Sequence, residues 1–142
     1  MSSICIREFR RQEDYLPALR LWESMEKGIH VGASDTTAEI EKKLQRDPDL
    51  FLVAEYDGEL IGTVIGGFDG RRGMIYHLAV HAAHRAQGIG GRLMDEVESR
   101  LRAKGCRRCY LMVTPDNVEA RRYYEQRGWL LMDVLPFAKD LV

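Results

Sequence analysis

Apolar residues recur along this chain at several distinct spacings, and each spacing predicts an element. Ile4-Cys5-Ile6-Arg7-Glu8-Phe9 alternates weakly and reads as a first strand. Glu13-Asp14 opens a helix whose Leu16, Leu19, Leu21 and Trp22 keep helical spacing, ending near Gly28. Residues 28–32 carry no such pattern and read as loop. Ser34-Asp35 is an N-cap signal for a second helix with Ala38, Ile40 and Leu44, which stops before Asp47-Pro48. Leu50-Phe51-Leu52-Val53-Ala54 is continuously apolar, as a strand covered on both faces would be. Asp57-Gly58 is a hairpin turn signal that pairs this strand with residues 60–68. Gly62, Gly66 and Gly67 weaken the third strand and leave room for a bulge or the close approach of substrate.

After a turn over residues 69–73, Met74-Ile75-Tyr76-His77-Leu78-Ala79-Val80 is the next strand. Ile89, Leu93, Met94, Val97 and Leu101 then share one face of a long helix that Gly105 stops. Residues 109–113 read as a strand, Asp116-Asn117 caps a last helix after Pro115, and residues 129–134 and 137–141 read as two closing strands. The order β-α-α-β-β-β-α-β-α-β-β implies an α/β sandwich, a mixed, mostly antiparallel seven-stranded sheet with helices on both faces. At 142 residues without repeats or linkers, residues 1–142 are expected to form a single domain.

Composition narrows the function. A net charge of −1 offers no global basic field for nucleic acid or an anionic membrane. Met1-Ser2-Ser3 leads straight into a strand with no apolar signal region, and no run is long enough to span a bilayer, so a cytoplasmic protein is expected. Cys106 and Cys109 form a C-x-x-C pair, but it follows a helix stop and straddles a strand start. No second pair exists to complete a zinc site, so packing cysteines and no metal are expected.

The chemistry concentrates where the strand ending at Val80 meets the long helix. Arg85-Ala86-Gln87-Gly88-Ile89-Gly90-Gly91-Arg92 places three glycines where a loop turns into a helix, beside amides without intrahelical partners and two guanidinium groups. That arrangement suits a pyrophosphate, and it also fits a flexible glycine loop with two solvated arginines. Two other phosphate motifs fail on spacing. Gly88, Gly90 and Gly91 make G-x-G-G rather than G-x-G-x-x-G, and Gly91-Arg92-Leu93 lacks the Lys-Ser/Thr of a nucleoside-triphosphate loop.

What remains is R-x-x-G-x-G at Arg85, Gly88 and Gly90, and with it the chain resembles the GNAT superfamily of acyl-coenzyme A-dependent N-acyltransferases. A second segment, Asn117 through Trp129, is similar to that superfamily's late helix, N-x-x-A-x-x-x-Y-x-x-x-G-aromatic. Phe51-Leu52-Val53-Ala54-Glu55 and Gly66-Gly67-Phe68-Asp69-Gly70 look most like the small bacterial YpeA-type acetyltransferases. The resemblance implies the GNAT fold and acetyl transfer from acetyl-coenzyme A to a primary amine, with no metal. The expected partners are acetyl-coenzyme A and an amine acceptor, with neither nucleic acid nor membrane, and a homodimer is left open.

Carried over position by position, the resemblance implicates Arg85, Gln87, Gly88, Ile89 and Gly90 in holding the pyrophosphate, with Gly91 and Arg92 extending the cradle. Leu78, Ala79 and Val80 would offer main-chain groups to the pantetheine arm. Asn117 would contact coenzyme A besides capping its helix, and Tyr124 would be the general acid for the departing thiolate. Tyr123, one residue away, faces elsewhere on the helix. Glu55, Tyr76, His77 and His81 are the candidate bases, and in a regular strand Tyr76 and His77 point to opposite faces. His84 would shape the cradle loop. The acceptor region would draw on Trp22, Glu23, Glu26, His30, Asp69, Arg71 and Arg72. A noncatalytic acyl-coenzyme A-binding module is the competing reading.

Overall fold

The computed structural model describes residues 3–142, which form two compact units, one running to Met112 and one spanning Val113–Val142. The first unit holds a five-stranded sheet in the order β1 (Ile4–Glu8), β2 (Phe51–Tyr56), β3 (Glu59–Phe68), β4 (Gly73–Val80) and β5 (Cys109–Tyr110). All neighbours are antiparallel except β4 and β5, which run parallel. Asp57 and Gly58 turn β2 into β3 with φ of 52° and 78°, the two left-handed positions that a tight two-residue hairpin demands.

Three helices cover the sheet: α1 (Arg11–Glu23), α2 (Thr37–Arg46) and α3 (Ile89–Ala103). Phe51, Leu52, Val53 and Ala54 are all buried, as their unbroken apolar run requires. Phe51, Val53 and Ile65 pack with Ala18, Leu21 and Trp22 of α1 and Ile40 of α2. On the other face lies α3, whose Ile89, Leu93, Met94, Val97 and Leu101 are fully buried, each worth about 1.5–3 kcal/mol of transfer free energy. Two of the β3 glycines, Gly62 and Gly66, admit this helix, whereas Gly67 lies on the α2 side near Lys43 and Tyr76. A Cβ on Gly66 would lie 2.8 Å from Val97 Cγ2, and one on Gly62 3.0 Å from Leu93 Cδ1.

Expectations about element ends need correction in this unit, beginning with α1, which stops at Glu23 rather than near Gly28. The second helix is capped by Thr36, whose Oγ1 accepts from the Glu39 amide, and Asp35 immediately precedes it as the last residue of a 3-10 segment, Ala33–Asp35. The strand expected over residues 109–113 is only Cys109–Tyr110, because β4 pairs with it at Gly73 and Met74 alone.

The second unit is built on α4 (Val118–Gln126), capped as expected by Asn117, whose Oδ1 accepts from the Ala120 amide at 3.2 Å. The two strands expected at 129–134 and 137–141 do not form, so the sheet has five strands rather than seven. Leu130, Leu135, Phe137 and Leu141 stand exposed. Apolar runs state a propensity, but a strand exists only when a neighbour completes its hydrogen bonds, and no local pattern supplies that neighbour. No helix among the described residues is long and apolar enough to cross a membrane.

Candidate active site

Strand β4 organises the site. Its register against β3 runs from Gly73 opposite Phe68 to Val80 opposite Gly62, with a shift between Thr63 and Ile65. That shift is a bulge, and His77 absorbs it with a left-handed φ of 55°, a conformation that costs a non-glycine residue on the order of 1–3 kcal/mol. The His77 carbonyl, displaced from the ladder, accepts from Thr63 Oγ1 at 2.8 Å. That hydroxyl in turn accepts from Trp22 Nε1 at 2.9 Å, wholly inside the core. The bulge overturns the expected alternation. The rings of Tyr76 and His77 meet edge to face at 5.7 Å, and that of His77 lies 4.8 Å from Trp22, on the side of the sheet that carries α1.

Beyond Met74 the edge of β4 that faces β5 has no strand partner among the described residues, so Leu78, Ala79 and Val80 lie on an open edge. Ala79 is buried and the other two are partly so; what the edge offers is main chain. It leads within a few residues into a short 3-10 turn, Ala82–His84, and then the cradle loop. Ala86 takes φ of 64° and Gly88 φ of 78°, so two left-handed residues bend the loop just before α3. Gly88 is the N-cap and has no side chain with which to cap, which leaves the amides of Ile89, Gly90 and Gly91 facing outward at the positive end of a 15-residue helix. Ile89 is buried through its side chain, so only its amide is available. Gln87 is exposed, and Arg85 spans the loop, donating from Nε to the Val80 carbonyl at 3.3 Å. Arg92 instead reaches the Ile4 carbonyl at 3.3 Å and ties α3 to β1. His81 Nδ1 accepts from the Ala83 amide, and His84 packs against Tyr56, so both shape the loop.

The candidate bases separate by their partners. Glu55 is bound by Arg7, which also makes a two-point contact with buried Asp14; these bonds, that to Asp14 first, hold the Arg7 guanidinium more firmly protonated. Tyr76 is pushed up by burial and by the nearby carboxylates of Asp47 and Asp35, so it holds its proton. His77 places Nε2 2.8 Å from Asp35 Oδ1, a contact that sequence reasoning missed because Asp35 also fits a helix cap. Of the expected acceptor region, Asp69 and Arg72 line a cavity of about 590 Å³ beside α2, together with Lys43, Tyr76 and Tyr110. Trp22 belongs to the core instead. Two backbone hydrogen bonds, from Arg72 and then Arg71, hold the Asp69 carboxyl below its usual range.

Among the described residues no His, Cys, Asp or Glu side chains converge as metal ligands would. Burial pushes the Cys109 thiol up to about 11, which makes it a poor nucleophile at neutral pH.

Within the second unit, Tyr124 packs its ring 5.3 Å from that of Tyr123 and 6.0 Å from that of Trp129. Burial, reinforced by Tyr123 and opposed by Arg127, pushes the Tyr124 phenol up to about 12. Such a group keeps its proton through the neutral range and can donate it, but cannot serve as a base. Gly128, at φ of 92°, ends α4 and returns the Trp129 amide to the Tyr124 carbonyl.

The sequence profile of the acetyltransferase (GNAT) family matches residues 12–129. An acetyltransferase of Pectobacterium atrosepticum is 41% identical over 137 residues, covering 96% of this chain and 95% of the relative. Among solved structures, Ard1 from Thermoplasma volcanium superimposes with a TM-score of 0.79 at 27% identity, over 91% of this chain and 84% of that one. The PaiA N-acetyltransferase of Thermoplasma acidophilum, solved in complex with coenzyme A, gives a TM-score of 0.80 at 22% identity, over 93% and 92% of the two chains.

Proposed function

The chain belongs to the acetyltransferase (GNAT) family and is an acetyl-coenzyme A-dependent acetyltransferase, and from that premise we propose that it acetylates a primary amine, of a small molecule or of a protein, by direct transfer. The observation that carries this reading is the open edge of β4 running directly into a glycine-capped helix N-terminus. An extended arm bearing amides finds main-chain partners along Leu78, Ala79 and Val80. A pyrophosphate at the end of that arm finds the outward amides after Gly88, with Arg85 and Gln87 beside them. Gly90 and Gly91 let the phosphates come close to the backbone, and Asn117 adds a contact to the cofactor while capping α4. Arg92, turned toward β1, contributes through its position in the first turn of α3.

Tyr124 supplies the proton that the departing thiolate takes up. The acetyl group passes from thioester to amine in one direct transfer, with no acyl-enzyme between them. We read residues 1–142 as one N-acetyltransferase domain, since the family match runs across both units, and place its reaction in the cytoplasm, without a metal.

Thiol release from acetyl-coenzyme A in the presence of putrescine, glucosamine, kanamycin or trialanine tests the reading. At least one amine should release thiol in step with an acetylated product identified by mass spectrometry. Tight coenzyme A binding with no thiol release from any amine would instead establish a noncatalytic acyl-coenzyme A-binding module.

A further inference from the structure

We propose that His77 is the catalytic base that takes the proton of the acceptor amine, and that Asp35 is its positioning residue. The proposal rests on the acetyl-transfer reading above. His77 immediately precedes Leu78 on the open edge of β4, so a thioester arm lying along that edge brings its acyl carbon beside the imidazole. The ring is on the α1 side of the sheet only because of the bulge; in a regular strand it would turn to the α3 side. Backbone regularity is given up at a non-glycine residue, and what results is the placement of this one side chain.

The pair is built to fix the ring. Asp35 is 6% exposed, and its two oxygens are divided: Oδ2 accepts from the Gly32 amide at 3.1 Å, and Oδ1 meets His77 Nε2 at 2.8 Å. Tyr15 Oη donates to the Asp35 carbonyl at 2.9 Å, which ties the segment to α1. A carboxylate only accepts, so Nε2 carries the hydrogen and the lone pair of neutral His77 is on Nδ1. The side chain of His77 keeps 17% of its surface exposed, enough for an incoming group. The titratable groups facing it are Asp35 from the α1–α2 connection and Tyr76 from its own strand, with Trp22 of α1 closing one side. A cross-strand stitch would require neither the left-handed φ nor a partly exposed ring.

In the reaction the amine nitrogen forms the C–N bond, and its proton passes to His77 Nδ1. The C–S bond breaks, and the thiolate leaves with the proton that Tyr124 supplies in the reading above.

His77→Gln retains a donor for Asp35 but accepts no proton at neutral pH. With acetyl-coenzyme A saturating and the best amine of the panel above, kcat at pH 7 should fall by about 10²-fold, the lower range for general-base loss. The deficit should narrow as pH rises and solution deprotonates the amine. Coenzyme A affinity, by calorimetry, should stay within about twofold of wild type, since the cofactor meets main chain here. Asp35→Asn replaces the acceptor that fixes the ring, so kcat should fall while the KM for acetyl-coenzyme A stays within about twofold of wild type. A His77→Gln enzyme with wild-type kcat and pH profile overturns the proposal, as does a loss that is the same at every pH. Wild-type protein that binds coenzyme A but releases no thiol to any amine or to water overturns the acetyl-transfer reading itself.

Discussion

The loop before α3 and helix α4 carry the two motifs of this chain, and in the function proposed above they act by opposite means. Around Ala86, Gly88 and the first turn of α3, the working groups are main-chain amides, and what matters is the conformation that side chains permit. On α4 the proposed working group is a single phenol, which the helix holds half-buried beside Tyr123 and Trp129. A cradle of the first kind is lost by adding atoms, and a site of the second kind by removing one. Substitutions can therefore separate binding from turnover, since the cradle acts on the cofactor in every state and the phenol only as the thiolate departs.

The largest effect should come from adding bulk to the cradle. Gly88→Val forces a β-branched residue into a left-handed conformation and should displace the loop while the buried face of α3 keeps the fold. Loss of two charge-assisted hydrogen bonds to phosphate corresponds to about 10³-fold in coenzyme A affinity. Wild-type affinity by calorimetry, in a variant with native circular dichroism, would remove the cradle from this role. Next, Tyr124→Phe should leave that affinity nearly unchanged and lower kcat by about 10²-fold. Because burial holds the wild-type phenol near 12, it stays protonated well past the ordinary tyrosine value of ~10, and the alkaline limb of kcat that it causes should lie correspondingly high. Full activity in the phenylalanine variant would assign the proton to water.

Smaller changes sharpen the contrast. Asn117→Ala removes the acceptor for the Ala120 amide and should cost about 1 kcal/mol in chemical denaturation. A drop in coenzyme A affinity beyond what that loss explains would show the additional cofactor contact. Tyr123→Phe should alter kcat by no more than about twofold, since the proposed proton donor is its neighbour. Equal losses at Tyr123 and Tyr124 would mean that both act through packing of α4.

Much of this molecule was legible along the chain because it depends on neighbours in sequence. The five apolar positions of α3 recur every three or four residues, and all five are buried. Asp57-Gly58 turns because those two residue types tolerate left-handed backbone, and Asn117 caps because its side chain reaches an amide three residues on. The Gly88 turn before α3 was legible for the same reason. Sheet pairing is different. The apolar runs at 129–134 and 137–141 have strand composition without strand partners, and β5 stops at two residues because its register with β4 ends there.

The same division runs through the site. Residue types and local spacing suited the loop before α3 to a phosphate, and the family resemblance pointed to Tyr124, but four candidate bases remained and Tyr76 and His77 were set on opposite faces. Tertiary structure paired Glu55 with Arg7, brought Tyr76 and His77 together through a bulge against Thr63, and set Asp35 against a ring 42 residues away. Sequence by itself determined the turns, caps and helical faces, because short-range sterics and hydrogen bonds decide them. Only the folded chain decided which strands pair, where the register slips and which carboxylate meets which imidazole, because those contacts join segments whose separation along the chain carries no local signal.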